Sequence, residues 1–462
     1  MVLNPFYFRR LENDRVFISN VLGSWAVVDE TEFMDMVAST NDTAQSATFN
    51  ALGFFSEKSS FFDKAAETYL TRKFARPYAK PSLIMVVPTL RCDHNCEYCQ
   101  VSRAPVDAFE FDLALNPDAL ACSIDRIAAP EFKLEFQGGE ALLRIDFVVE
   151  TVAALRKIRG QSFSVVITSA LGPDLPEEFL EWCKKEGIAF SVSFDGIPEI
   201  HSAHRKSNFF DSFSRFSSQL ERLKSSGINE IGYVQTVTRS TLQLDPDRII
   251  DACRSLGIER LFSRPLQQYG FATLTQKKLG YTREEFVEFF DSYFCSVLRN
   301  WKKDRSFFDD GFGIYLANLF RASNPNYVDL MSPAAYGLQA VIINYDGNIF
   351  GADETRMLFE TTKNKELVLA TISPDGSIVG NLEPHAAFIA DSFLEFNPYC
   401  DTCAYQPFCG SDLAHHLSTQ GNGLGFKPES AFCSSTMGVF DLLATRFANE
   451  EFGLDEVSEW LT

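Results

Sequence analysis

Between residues 82 and 266, short apolar, β-branched runs alternate with longer stretches whose apolar positions recur at helical spacing. Runs at 82–87, 133–136, 164–168, 190–194, 232–237 and 261–263 predict strands. The segments 145–158, 176–186, 211–225 and 246–256 predict helices. Parallel neighbours cannot be joined by a tight turn, so strict alternation predicts right-handed βαβ units and an α/β fold.

The flanks read differently. Residues 15–19 and 25–28 are β-like around a glycine-containing turn at 20–24, and 31–37 reads as a helix capped by Asp29 or Thr31. This predicts a small N-terminal α+β module. The polar stretches 39–46 and 56–60 read as loops. After about residue 267 a helical stretch at 282–301 gives way to an irregular region. A hairpin signal follows, 341–344 and 349–350 around Asp346-Gly347. The expected domains are 1–80, 81–320 and 321–462.

At 462 residues, 45% hydrophobic and 23% charged, the chain is long enough for two or three globular domains. No uncharged apolar run reaches the about 18 residues a membrane span needs, and the first residues lack a secretory apolar core. A formal charge of −20 argues against nucleic acid as a partner. The expected location is cytoplasmic, where thiols stay reduced and clustered cysteines point to metal rather than disulfides.

The cysteines are clustered. Cys92-Asp93-His94-Asn95-Cys96-Glu97-Tyr98-Cys99 follows the first predicted strand directly. Three thiolates on a [4Fe–4S] cubane leave one iron open to a non-protein ligand. A structural zinc site would want a fourth ligand, and His94, lying between two of the thiols, should be strained in reaching the same ion. The spacing, with Tyr98 ahead of the third cysteine, resembles the signature of the radical S-adenosylmethionine (SAM) family. The resemblance implies a partial (β/α)6 TIM-type barrel with its site at the C-terminal strand ends. It implies that Cys92, Cys96 and Cys99 hold a [4Fe–4S] cluster whose free iron binds SAM. Reductive cleavage of SAM would then yield a 5′-deoxyadenosyl radical that abstracts hydrogen from a C–H bond.

Other motifs fall at strand ends. In Gln137-Gly138-Gly139-Glu140 two glycines let backbone approach a ligand closely, and Glu140 can accept from an ammonium group. The resemblance implies that this segment holds the methionine amino group of SAM; the plainer reading is a strand-to-helix turn. Ser193-Phe194-Asp195-Gly196, followed by His201 and Arg205, is similar to a string in peptide-modifying members. That likeness implies Ser193 beside the ribose and Arg205 on the SAM carboxylate, with Asp195 and His201 shaping the loop. Gln235 or Thr238, and Leu266, fall where adenine and ribose contacts are implied.

Cys400, Cys403, Cys409 and Cys433 supply four further thiols, enough to saturate a cluster or a zinc ribbon. Their spacing is similar to the C-terminal SPASM domain of radical SAM maturases, which implies an auxiliary [4Fe–4S] cluster. Full SPASM domains carry a second auxiliary cluster, two of whose cysteine positions are Leu413 and Ala352 here, so two clusters in total are expected. Cys122, Cys183, Cys253 and Cys295 stand singly and read as buried hydrophobes.

Taken together the motifs resemble a radical SAM/SPASM peptide maturase. Cys99–Arg103 and Asp353–Met357 lie nearest to the maturases of the His-Xaa-Ser peptide system. The resemblance implies oxidative crosslinking of a ribosomal precursor peptide, with electrons from a reduced flavodoxin or ferredoxin. It implies Asp353 as a base beside the substrate radical. It also makes residues 1–80 either a precursor-peptide recognition domain or a packing extension of the barrel. The alternatives are a maturase of a protein substrate and a zinc-stabilised adaptor without catalysis.

Overall fold

Six parallel strands form the centre of the computed structural model, which describes residues 2–38, 45–56, 61–75, 80–321, 327–380 and 383–461. They are β1 (Leu83–Thr89), β2 (Phe132–Gly138), β3 (Phe163–Ser169), β4 (Ile188–Ser193), β5 (Ile231–Val237) and β6 (Arg260–Pro265). Each pairs parallel with the next, in sequence order. All six lie where the sequence predicts a strand. Side chains alternate across each strand. In β2, Phe132, Leu134 and Phe136 are buried, whereas Glu135 and Gln137 are half-buried. In β4, Ile188, Phe190 and Val192 are buried, whereas Ala189, Ser191 and Ser193 are half-buried. The buried face packs under the crossover helices, each such side chain contributing roughly 1.5–3 kcal/mol. The half-buried face lines the barrel lumen.

The helices start where local chemistry allows. Asn116, Asp211 and Asp245 accept from backbone N–H groups two or three residues on, opening helices Pro117–Ile127, Ser212–Ser225 and Pro246–Ser255. Proline at the first position of two of these fixes a helical φ without losing a bond. Thr282 and Glu285 form a capping box for Arg283–Asp304, the helix expected at 282–301.

The sheet continues at both edges. β7 (Phe308–Asp309) adds parallel to β6. On the other edge β8 (Ala340–Ile343) lies parallel to β1, and the expected hairpin returns through β9 (Asn348–Phe350). A further hairpin, β10 (Ala370–Ile372) and β11 (Ile378–Gly380), completes the eleven-stranded sheet. Together these form one compact unit, Ala79–Gly311 with Ala335–Ala387.

The second unit joins Met1–Tyr78 to Phe312–Ala334 and Phe388–Thr462. Tyr7–Arg10, Arg15–Ser19 and Trp25–Asp29 make an antiparallel sheet followed by helix Glu30–Ala38, with Asp29 and Glu32 as reciprocal caps. The division into 1–80, 81–320 and 321–462 is therefore redrawn. Ser19 donates to the Ala404 carbonyl at 2.6 Å, Arg9 grips Asp441 through two bonds, and the Phe17 ring packs on Tyr405. These contacts fuse the N-terminal module to the cysteine-rich tail, while the β8 ladder draws residues 335–387 to the barrel. The loops expected at 39–46 and 56–60 lie largely outside the described residues. No described helix is long and apolar enough to cross a membrane.

Candidate active site

The first cysteine loop leaves the C-terminal end of β1 and is pinned on three sides. Asn95 N–H donates to the Lys206 carbonyl and Glu97 N–H to the His204 carbonyl, at 2.5 and 3.0 Å. The Glu97 carboxylate pairs with Lys206 and Lys278, which hold its pKa down at about 2. Ala272 N–H donates to the Cys99 carbonyl. Gly270, at φ +52°, passes so close that a Cβ there would lie 2.2 Å from the Gln100 carbonyl oxygen. Three half-buried thiols are thus held in one place.

Burial pushes the Cys92 thiol well up and Cys96 to about 12. For Cys96, the Arg205 and Arg103 guanidinium groups oppose that rise. His94 N–H points to Cys92 Sγ at 3.5 Å. Cationic neighbours and an N–H donor suit thiolates that carry a net-negative cluster, so the residues fit the group the motif implies. A tetrahedral zinc at about 2.3 Å from each sulfur would bring thiols to about 3.8 Å of one another. Among the described residues neither cysteine set draws in to within 4.8 Å. His94 lies near one of the three thiols. One ligand atom each from Cys92, Asp93 and His94 lies within 4.8 Å of the others, because the loop folds His94 Nδ1 back to 2.8 Å from Asp93 Oδ1.

Gly138 and Gly139 cross this loop at contact distance. Added Cβ atoms would meet the Thr89 carbonyl oxygen at 2.6 Å and those of Leu90 and Arg91 at 2.3 Å. Only glycine permits that approach. Glu140 is buried and accepts from Leu142 N–H, Ala170 N–H and the Ser169 hydroxyl. Burial, then the charge of Asp93, raises its pKa to about 8. Its hydrogen bonds are those of a capped strand-to-helix turn.

Asp195 is the residue whose part sequence reasoning understated. It takes the Tyr98 hydroxyl on Oδ2 and grips Arg205 at 3.0 and 3.3 Å. Burial works against the Arg205 cation, but Asp195, Tyr98 and Cys96 more than offset it and raise its pKa. Two of the three guanidinium nitrogens are spent on Asp195. The signal was present in the Ser-x-Asp-Gly…Arg string, as an acid and a base ten residues apart. His201, with both ring nitrogens unpartnered, packs at tilted and edge-on angles among Phe194, Phe213 and Phe216.

Ser193 faces the lumen at the end of β4. Gln235 does not. It is buried on the opposite face of β5, accepts from the Ser263 hydroxyl, and crowds Gly196. Thr238 caps the turn after β5. Leu266 packs in the cluster that holds Tyr98 and Cys96. Asp353 opens helix Asp353–Thr362 and accepts from Arg356 Nε at 2.7 Å. Its charge is felt by Glu135 on the lumen face of β2.

In the second unit Cys400, Cys403, Cys409 and Cys433 converge: burial raises the first three thiols, and each of the three is pushed further by its neighbours. Ser430 caps the helix that starts beside Cys433. A cavity of about 360 Å³ lined by Phe8, Arg9, Tyr399, Thr402 and Cys403 opens beside the cluster position. Cys183 and Cys253 are buried as expected, but Cys122 is exposed, because it falls off the stripe Leu120, Ala121 and Ile124.

Residues 86–259 match the family model of the Radical SAM superfamily. A serine-type anaerobic sulfatase-maturating enzyme of Bacteroides thetaiotaomicron is 24% identical over 299 residues, 60% of this chain and 70% of that one. Among solved structures, native anSMEcpe with bound AdoMet superposes at TM-score 0.63 and 15% identity, covering 80% of this chain and all of that one. Streptococcus suis SuiB bound to precursor peptide SuiA superposes at 0.53 and 14% identity, covering 93% and 99%. The adaptor reading falls with these matches. The chain carries a radical SAM domain, whose family uses a 4Fe–4S cluster with SAM, and it is a radical SAM enzyme.

Proposed function

We propose that this enzyme modifies a ribosomally made precursor peptide by oxidative crosslinking. The observation that carries the reading is the fusion, in one unit, of an edge-stranded N-terminal sheet to a four-thiol site. When bound, the first cluster and SAM supply a 5′-deoxyadenosyl radical, and a second [4Fe–4S] cluster on Cys400, Cys403, Cys409 and Cys433 supplies a place for the electron that oxidation releases.

The chain's own residues then bind and orient. Cys92, Cys96 and Cys99 hold the first cluster. Gly138 and Gly139 open backbone to the amino end of SAM, and Glu140 fixes that turn. Ser193 would meet the ribose, Leu266 would lie beside the cluster with Tyr98, and Arg205 would receive the carboxylate with Asp195 holding it. Gln235 acts through the wall of β5 rather than by contact. Asp353, held by Arg356, serves as base beside the substrate. Tyr7–Arg10 is an edge strand with alternating exposure, able to take a leader as an added strand beside the cavity at Phe8 and Cys403. Reduced flavodoxin or ferredoxin would supply electrons, in the cytoplasm, where the thiols stay reduced.

A second reading, maturation of a folded protein, is favoured by the likeness to a serine-type anaerobic sulfatase-maturating enzyme. Co-expression with a small open reading frame next to the gene separates the two. A peptide lighter by two hydrogens per modification supports crosslinking. No modified peptide, together with no binding of any leader by the full chain, supports a protein substrate.

A further inference from the structure

Lys427 is only 5% exposed, yet among the described residues no carboxylate oxygen lies within 4.0 Å of its ammonium group. Its Nζ donates to the Leu424 carbonyl at 2.5 Å and lies 3.4 Å from Nδ1 of His416. The His416 ring in turn meets the Ser430 hydroxyl through Nε2 at 2.9 Å, and Ser430 accepts from the Cys433 N–H. Lysine, histidine and serine thus form a buried chain ending at a thiol-bearing helix. Burial works against the charged form of Lys427 and lowers its pKa, while negative charge on the Cys400, Cys433 and Cys409 sulfurs, ahead of Asp391, favours it. Burying an ammonium without a counter-charge is costly. A carbonyl and a neutral imidazole do not supply one.

We propose that Lys427 is the built-in counter-charge of the second cluster and sets its reduction potential, an inference that rests on the auxiliary-cluster reading above. A [4Fe–4S] cubane on four thiolates is doubly negative and becomes triply negative on taking up one electron. A fixed cation at its edge favours the reduced form. His416 keeps that cation aimed, by accepting at Nδ1 and anchoring to the Ser430 cap.

The test uses the full chain with Cys92, Cys96 and Cys99 all replaced by Ala, so that the second cluster alone reports. Iron is counted first: about four irons per chain mean the cluster is present, and no iron overturns the auxiliary-cluster reading itself. EPR-monitored redox titration with dithionite then compares this parent with Lys427→Met and Lys427→Arg. The expected result is at least tenfold less favourable one-electron reduction in Lys427→Met, a midpoint about 59 mV more negative, with Lys427→Arg near the parent. Equal midpoints in all three overturn the proposal. Should Lys427→Met fail to fold, the parent labelled with 15N-lysine decides. A 15N coupling on the reduced cluster that is absent in Lys427→Arg supports the counter-charge role, and no such coupling overturns it.

Discussion

Asp195 and Arg205 form a buried, two-point ion pair, Nε to Oδ2 at 3.0 Å and Nη2 to Oδ1 at 3.3 Å, with side-chain exposures of 0% and 9%. The same carboxylate takes the hydroxyl of Tyr98, the residue between Glu97 and Cys99 in the cluster loop. Asp195 therefore ties the end of β4 to the thiol loop, and fixes which way the guanidinium points.

Replacing Asp195 with Ala leaves a buried guanidinium without its partner, a loss of about 3–5 kcal/mol in stability. Asp195→Asn keeps the shape but not the charge. We expect Asp195→Asn to retain its full iron content and to bind SAM at least tenfold more weakly, read by equilibrium dialysis under anaerobic conditions. Unchanged SAM affinity would mean that Arg205 needs no such anchor.

Gly139→Ala places a methyl carbon 2.3 Å from two backbone carbonyl oxygens at the start of the cysteine loop. Backbone cannot yield as a flexible side chain does. The expected outcome is loss of SAM cleavage together with iron from the first cluster, while the second cluster keeps about four irons per chain. Gly232→Ala, where the nearest atom to an added Cβ is the Phe190 carbonyl oxygen at 3.8 Å, is the control.

Asp309 sits at the end of β7, wholly buried, and accepts from Ser263 N–H, Gly311 N–H and the Tyr293 hydroxyl. Burial raises its pKa from 3.8 to about 7. A raised carboxyl favours the folded state in its protonated form. That contribution is complete below pH 3.8 and is lost as pH rises through about 7. Asp309→Asn should therefore gain stability relative to the parent between pH 5 and pH 7, on the order of 1 kcal/mol per pH unit, and no more above that. Denaturant midpoints at the two pH values check this, and a constant difference contradicts it.

Asp353→Asn separates radical formation from its use. With Arg356 still able to bond the amide oxygen, the helix start survives. 5′-Deoxyadenosine release should stay within about threefold of the parent, as no SAM contact is lost, while crosslinked product falls by the 10²–10⁴ that a positioned base contributes. Equal loss of both would place Asp353 outside the substrate step.

Much of this was legible in the chain. The six barrel strands were, because short runs of apolar residues alternate with stretches at helical spacing, and within a strand buried apolar positions alternate with more open ones, as in Leu134 and Phe136 against Glu135. Asp346-Gly347 announced its hairpin. β7, two residues long, has no period to read. The joining of residues 1–78 to the tail rests on Arg9–Asp441 and Ser19–Ala404, contacts spanning 432 and 385 residues that leave no local pattern. The face on which Gln235 lies was not legible, because Ile231–Val237 carries apolar residues on both faces and its period alone does not say which is inward.

The most direct test is EPR of the anaerobically reconstituted, dithionite-reduced chain with and without SAM. A shift in the g-values of one of two clusters, with 5′-deoxyadenosine released on turnover, is the predicted result. A spectrum that SAM leaves unaltered would contradict the open iron site at Cys92, Cys96 and Cys99, and the enzymology proposed on it.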